Sequence, residues 1–231
     1  MRAAPIKTEE PSLRWSERVG RQLRSPEGTA GRLAGWLMSH VNAQPYDLAI
    51  RALDLRPSDS VLELGFGPGA GLRRLSKALP NGRICGLDHS ATMVDAATRR
   101  NRRAIAEGRI ELRRAGFSSL PWGDETFDKA LLVNVVYFFD RSGDEAREIY
   151  RTLKPGGLVV VYATDADTMS KWPFAGPDTH RKFVRADLHE LLVGAGFRPK
   201  DVRVQAVTLS LGVGGLVAVA RKRLLANFGS A

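Results

Sequence analysis

The sequence predicts an α/β fold, a largely parallel sheet with helices on both faces, preceded by a helical cap. Three observations predict it. The apolar run Val61-Leu62-Glu63-Leu64 stops at the alternating glycines Gly65, Gly67, Gly69 and Gly71, as a buried strand entering a tight turn does. Beyond that turn, short apolar runs alternate with segments of helical period, a pattern that lays parallel strands side by side under crossover helices. The chain has 231 residues, of which 43% are hydrophobic, enough for one substantial core and short for two ordinary domains.

Residues 1–27 are polar and contain prolines, and read as a partly mobile segment of a single-domain chain. In the cap, 28–56, Leu33, Trp36, Leu37, Val41, Tyr46, Ile50 and Leu53 recur at helical spacing, which suits two amphipathic helices broken near Pro45. The core, 57–231, opens with the strand at Val61 and its glycine turn. A helix over Leu72–Leu79 follows, then a strand at Ile84–Leu87, a helix over Ala91–Ala106, a strand at Ile110–Arg113 and a loop through Pro121 and Gly123. Next come a strand at Phe127–Val133, a helix over Gly143–Leu153 and a strand at Leu158–Ala163. Residues 165–184, with Trp172, Pro173, Phe174, Gly176 and Pro177, read as an irregular lid. A helix over Ala186–Ala195 and strands near Val202–Leu209 and Leu216–Ala220 complete the chain. No internal repeat interrupts this order.

The charge balance is 35 Lys and Arg against 25 Asp and Glu, a net +10, which favours anionic partners. Arg99, Arg100, Arg102, Arg103, Arg109, Arg113 and Arg114 crowd together, and Arg14, Arg18, Arg21, Arg24 and Arg32 recur near the start. No aromatic residue interleaves the 99–114 run, so it reads as a solvated face rather than a base-stacking surface. There is no apolar run of about 18 residues, the length a membrane span needs, and the first residues lack the apolar core of a signal peptide; a cytoplasmic protein is expected. The single Cys85 lies in an apolar run and reads as a buried, inert thiol. No Cys/His cluster suggests a metal, and nothing in the sequence sets an oligomeric state.

A glycine turn that delivers ligand atoms to a helix start makes a cofactor seat, because amide hydrogens there are unpaired. Two cofactors suit it at this level. Gly65, Gly67 and Ala70 satisfy the looser G-x-G-x-x-G/A pattern, and Asp88 ends the second strand where a ribose-binding acid belongs, so a nicotinamide dinucleotide fits. The spacing Tyr150-x-x-x-Lys154 even matches a short-chain reductase. Pro155 ends the helix at that lysine, however, and the pair follows the glycine turn too soon.

The motifs taken in order resemble the class I S-adenosylmethionine-dependent methyltransferases. They are Val-Leu-Glu-Leu-Gly-Phe-Gly-Pro-Gly from 61, Gly-Leu-Asp-His-Ser-Ala-Thr-Met at 86–93, Leu-Pro-Trp-Gly-Asp-Glu-Thr-Phe-Asp at 120–128 and Leu-Lys-Pro-Gly-Gly at 153–157. The likeness runs from about Tyr46 to Phe197 and is strongest to the small quinone-biosynthesis-like branch. It implies a Rossmann-like sheet of seven strands in the order 3-2-1-4-5-7-6, the last strand antiparallel. It also implies S-adenosylmethionine as cofactor and S-adenosylhomocysteine as product.

The resemblance and the chemistry of that cofactor assign the residues. Gly65, Phe66 and Gly67 would bring backbone against the methionine and ribose, and Glu63 would attract the ammonium directly or through water. The plainer role for Glu63 is a strand-end carboxylate bonded to nearby amides. Asp88 can accept both ribose hydroxyls, since a carboxylate has two acceptor oxygens. His89 and Met93 would pack on the adenine, although His89 is also an ordinary polar residue for a helix start. One departure stands out. Where many relatives carry an Asp that accepts the adenine amino group, this chain reads Ala115-Gly116-Phe117-Ser118, which leaves Phe117 to cover the ring and a backbone or Ser118 oxygen to accept. Tyr46 would close over the methionine end.

Methyl transfer is an in-line displacement at a carbon already activated, so the protein chiefly aligns the nucleophile and removes its proton where needed. The segment Val133-Asn134-Val135-Val136-Tyr137-Phe138-Phe139 faces the methyl group in relatives and lacks the Asn/Asp-Pro-Pro-Tyr motif of enzymes that methylate nucleobase or glutamine amines. Cys85, on the second strand, is misplaced for a cysteine-nucleophile pyrimidine methyltransferase. Asn134 and Tyr137 are the expected groups beside the methyl donor, with Tyr137 able to donate a hydrogen bond or lose a proton, or to serve only as core. His180 is a candidate base, its alternative being an exposed loop histidine. Trp36, Met38, Trp172 and Phe174, with Tyr137, would enclose a small, partly apolar acceptor methylated at O, N or C. Two other functions suit the sequence: methylation of lipid headgroups at an anionic membrane surface, from the basic N-terminal region, and a non-catalytic module that binds the cofactor and a nucleic acid or other partner.

Overall fold

Central strands that are apolar on both sides need cover on both sides, and the sheet has it. The computed structural model describes residues 42–176 and 180–224. Strands β1 (Ser60–Leu64), β2 (Arg83–Asp88), β3 (Ile110–Arg114), β4 (Phe127–Val133), β5 (Leu153–Thr164), β6 (Val202–Thr208) and β7 (Gly214–Arg221) form one seven-stranded sheet. Its order is β3-β2-β1-β4-β5-β7-β6, with β7 antiparallel to both neighbours and the remaining pairs parallel. This is the Rossmann-like sheet that the resemblance implies.

Alternation along β1 sets the two faces. Leu62 and Leu64 join a core with Leu87, Leu132 and Val161, covered by Ala146 and Ile149 of α5 (Asp144–Thr152) and Leu188 and Leu192 of α7 (Arg185–Gly194). Val61 points the other way, to Ile84, Leu131 and Val160, covered by α1 (Ala43–Ala52), α2 (Ala70–Ala78) and α3 (Ala91–Arg100). Glu63 lies between Leu62 and Leu64, so the same period-2 rule turns it towards α1 and α2. Glu63 therefore lies on the α1 face, against Tyr46.

The described part of the cap is α1, which has Pro45 in its first turn, where the missing N–H costs no intrahelical bond; the helix expected before it lies outside the described residues. Three expectations change in detail. The helix expected over 91–106 is two, α3 and α4 (Arg102–Ala106), divided at Asn101. β5 starts at Leu153 rather than Leu158, and its register against β4 shifts across the Lys154-Pro155-Gly156-Gly157 stretch, between the Phe127–Leu153 and Lys129–Leu158 pairs. The lid is not irregular throughout: α6 (Ala166–Ser170) opens it, capped by Asp165, whose carboxylate accepts from the Thr168 amide at 2.8 Å. Segment 1–27 and the first part of the cap, including Trp36 and Met38, lie outside the described residues, as do lid residues 177–179. Among the described residues no helix is long and apolar enough to cross a membrane.

Candidate functional site

The glycine turn between β1 and α2 is tight because three of its residues occupy left-handed backbone, Gly65 at φ 65°, Gly67 at φ 52° and Gly69 at φ 79°. Gly65 donates its amide to Leu87 O at 2.8 Å, tying the turn to β2. A Cβ at Gly65 would collide with Val135, whereas one at Gly67 would meet nothing within 4 Å. The turn is thus packed on its inner side and open at Gly67. Phe66, expected as a cofactor contact, is fully buried and packs towards Gly86, so only its backbone belongs to the turn; its carbonyl accepts from Gly69 N at 3.0 Å.

Asp88 sits beside the open glycine. Its Oδ2 accepts from Gly67 N at 2.9 Å and its Oδ1 from Ser90 N at 2.9 Å. Burial holds this carboxyl above its ordinary range, and the Ser90 and Gly67 amides pull it back. Each oxygen keeps a lone pair for a further donor. Beneath the turn, the Asn101 side chain donates to Gly69 O at 3.1 Å and Ala97 O at 2.9 Å. Asn101 therefore ends α3 and seats the turn at once, a role the sequence conceals in an arginine-rich run. Its one signal is a helix-averse amide in mid-helix.

Glu63 is the second buried acid. Its Oε1 accepts from the Tyr46 hydroxyl at 2.8 Å, and its Oε2 is buried with no hydrogen-bond partner. Desolvation pushes its carboxyl up to about 8, opposed by the Tyr46 hydrogen bond, and Asp88 adds a smaller upward push. Gly71 makes the arrangement feasible, because a Cβ there would overlap Glu63 Oε1 and the Tyr46 ring. Gly71→Ala is expected to cost about 1–3 kcal/mol of stability by overpacking and to break the Tyr46–Glu63 bond. Thermal denaturation of the variant would show it, and an unchanged melting temperature would refute the close packing.

Beyond Asp88 lies an aromatic corner. The His89 and Phe117 rings meet edge to face at 6.0 Å, and Phe117 lies 6.1 Å from Phe139. Met93 is buried at the start of α3, with its amide on Ser90 Oγ. Gly116 is exposed, and a Cβ there would meet nothing within 4 Å.

At the end of β4, Asn134 adopts φ 55° and ties three elements together. Its Oδ1 accepts from the Tyr137 hydroxyl at 2.6 Å and from Thr164 N at 3.1 Å, and its Nδ2 donates to Asn42 Oδ1 at 2.8 Å, just before α1. The Tyr137 hydroxyl also accepts from the Thr164 amide, and burial pushes the phenol above its usual range. Tyr137 is thereby engaged in holding β4 to β5, and its placement does not suit a base. His180 corrects the exposed-loop alternative. It is only 6% exposed, with its ring 5.1 Å from Phe138 and 6.0 Å from Tyr137. Trp172 and Phe174 stack at 5.4 Å and pack on the same core.

The structure accounts for other sequence features without the site. Glu107 pairs with Arg103 and Arg109, and Glu111 with Arg83 and Arg113, so acids neutralise part of the arginine run. Lys154 pairs with Asp128 at 2.9 Å, and Tyr150 stacks edge-on against Phe197 at 4.9 Å, which separates the two residues of the reductase-like spacing. Cys85 is buried, and burial raises its thiol to about 11. The basic N-terminal stretch behind the lipid reading lies outside the described residues.

A buried acceptor without a partner, an open glycine flank and a carboxylate with spare lone pairs fit a ligand bearing an amine cation and a diol. Similarity to known proteins points the same way. Residues 61–157 match a family described as a methyltransferase domain. Relatives include an uncharacterized methyltransferase, YdaC, of Bacillus subtilis, 27% identical over 183 residues, covering 78% of this chain and 94% of that protein. The ubiquinone/menaquinone biosynthesis C-methyltransferase UbiE of Geotalea daltonii is 30% identical over 118 residues, covering 49% of this chain and 48% of that one. Several other curated relatives are longer, and the chain spans only 34% or 30% of two of them. In fold, the chain is similar to human N-acetylserotonin methyltransferase in complex with SAM, at a TM-score of 0.67 and 19% identity, covering 94% of this chain and 68% of that one. The matched segment carries both the glycine turn and Asp88, so the chain is similar in sequence to methyltransferases over the residues that form the candidate site, and similar in fold to one that binds SAM.

Proposed function

We propose that the chain transfers a methyl group from S-adenosylmethionine to a small, partly apolar acceptor at O, N or C. The observation that carries this reading is the set of aromatic side chains that follow β4 and β5, Phe138 against His180 and Trp172 stacked on Phe174, all packed on the core that holds Tyr137. Ligands of open parallel sheets bind at the carboxyl ends of the strands. When bound, the cofactor supplies a methyl carbon made electrophilic by its sulfonium.

The protein's own residues provide binding, order and shelter. Asp88 would accept the ribose hydroxyls, with its geometry fixed in advance by the Gly67 and Ser90 amides. Glu63 would take the ammonium on its unpartnered oxygen, with Tyr46 holding the other. His89, Met93, Gly116 and Phe117 would border the base. Asn134 and Tyr137 would set the separation of β4 and β5 beneath the reacting carbon, acting as positioning groups. Trp172 and Phe174 would exclude water and shape the acceptor's cavity, with Trp36 and Met38 proposed to complete it. His180, enclosed by Tyr137 and Phe138, is proposed as the group that takes the acceptor's proton where one must leave.

The test is turnover. The full chain, incubated with methyl-labelled S-adenosylmethionine and fractionated small-molecule extract, is expected to label a low-mass apolar compound identifiable by mass spectrometry. Label in the lipid fraction would favour the headgroup reading. Cofactor binding without product from any fraction would favour a non-catalytic module.

A further inference from the structure

We propose that the base pocket does not select the substituent at position 6 of the purine, so that a 6-oxo nucleoside binds nearly as well as a 6-amino one. The inference rests on the cofactor reading above, which places the ribose at Asp88 and the base in the corner beyond it. The rings there are His89 and Phe117, edge to face at 6.0 Å, and Met93 is buried four residues after His89 in the chain. Rings and a thioether recognise the faces of a purine, and these are the same for the two bases. Discrimination must therefore come from whatever meets the ring edge.

The edge is met by the stretch 115–119. Ala115 N–H is used, donating to Asp88 O at 3.3 Å. The main-chain groups of Gly116 and Phe117 form no hydrogen bond within the described residues, and Gly116 is exposed with open space where a side chain would start. Ser118 and Ser119, also exposed, follow it. A peptide offers one donor and one acceptor, and a serine hydroxyl offers both. Such an edge can accept from an amino group and donate to the neighbouring ring nitrogen, or donate to a keto oxygen and accept from the ring N–H.

A carboxylate could not do both, since it only accepts when ionised and would face a keto oxygen without a proton between them. The acids around this corner are committed elsewhere. Asp88 is held by Gly67 and Ser90. Glu148, whose Oε2 accepts from Leu120 N at 2.7 Å, is paired with Arg151. Arg114, whose Nε donates to His89 O at 3.3 Å, adds a positive charge next to His89, which favours a keto oxygen over an amino group. The geometry makes Gly116 the specificity-determining position: what it lacks is what would otherwise reject the 6-oxo base.

Calorimetric titration of the full chain with S-adenosylhomocysteine and with S-inosylhomocysteine tests this, with no turnover needed. The two dissociation constants are expected to agree within about tenfold, far from the discrimination of a site built around one hydrogen-bonding group. A preference above tenfold for the adenine compound overturns the inference. Failure of S-adenosylhomocysteine itself to bind would instead overturn the cofactor reading, and this proposal with it. Gly116→Asp is expected to create a preference for the adenine compound of more than about tenfold, whereas Gly116→Asn, isosteric but able to donate and accept, keeps the ratio near that of the parent. If the Asp and Asn variants behave alike, the ring edge does not lie at Gly116 and the assignment fails.

Discussion

Asp88→Ala is expected to lower the affinity for S-adenosylmethionine by roughly 100-fold while the chain stays folded. The magnitude follows from two lost hydrogen bonds to a charged acceptor, each worth about 1.5 kcal/mol or more, where 1.4 kcal/mol is a factor of about ten. A second loss adds to it. Without the carboxylate, Gly67 N and Ser90 N have no acceptor, so the glycine turn and the start of α3 are no longer held to each other. The fold is not expected to depend on this group, whose burial as an acid opposes ionisation and which lies outside the apolar core that holds Leu87 and Leu64. Calorimetric titration with the cofactor, beside a circular-dichroism melt, separates the two effects. Parent-like affinity in a folded variant would remove Asp88 from the site.

The residues legible in the sequence are those whose role is imposed by the local backbone. Gly65, Gly67 and Gly69 had to be glycine, and their left-handed φ values show why. Asp88 followed from its place at the end of a strand next to that turn. The apolar runs likewise forced the sheet, since buried strands admit little else. What stayed hidden depends on partners far along the chain. Nothing near Asn101 says that its amide reaches Gly69, 32 positions away. Thr164 and Asn42 carry no motif, yet Asn134 joins one across 30 positions and the other across 92. His180 looked like an exposed loop residue because its flanks are polar, and it is buried against Phe138 and Tyr137, far earlier in the chain. The Tyr150–Lys154 spacing misled for the same reason: a spacing along a helix says nothing of Asp128 and Phe197, which claim the two side chains separately.

Cofactor affinity is expected to rise about tenfold per pH unit between roughly pH 6 and 8, because Glu63 must lose a proton to receive an ammonium. In the free protein its carboxyl is raised from 4.5 to about 8, first by desolvation and further by the Asp88 charge, with the Tyr46 hydroxyl and the Arg74 charge opposing. Arg74 is shared, lying 5.8 Å over the Tyr46 ring and 3.1 Å from Asp47, so its relief is partial. At neutral pH most of the free protein therefore holds a neutral Glu63. Binding is expected to ionise it and release close to one proton, which titrations in two buffers of different ionisation heat would count. Near pH 8 the rise stops, since the ligand's own amine, with an ordinary value of about 8, begins to lose its charge.

The sign reverses for stability without ligand. A carboxyl raised above its unfolded value contributes stability that is complete below pH 4.5 and drains away up to about pH 8, by as much as about 1.4 kcal/mol per unit. Glu63→Gln should flatten both profiles, holding affinity low at every pH while removing the loss of stability on the alkaline side. Tyr46→Phe should move the acid limb of the binding profile to higher pH, because it deletes the hydrogen bond that favours the carboxylate. A parent whose affinity is level from pH 6 to 8, with no proton released, would show that the cofactor's amine is held by another group.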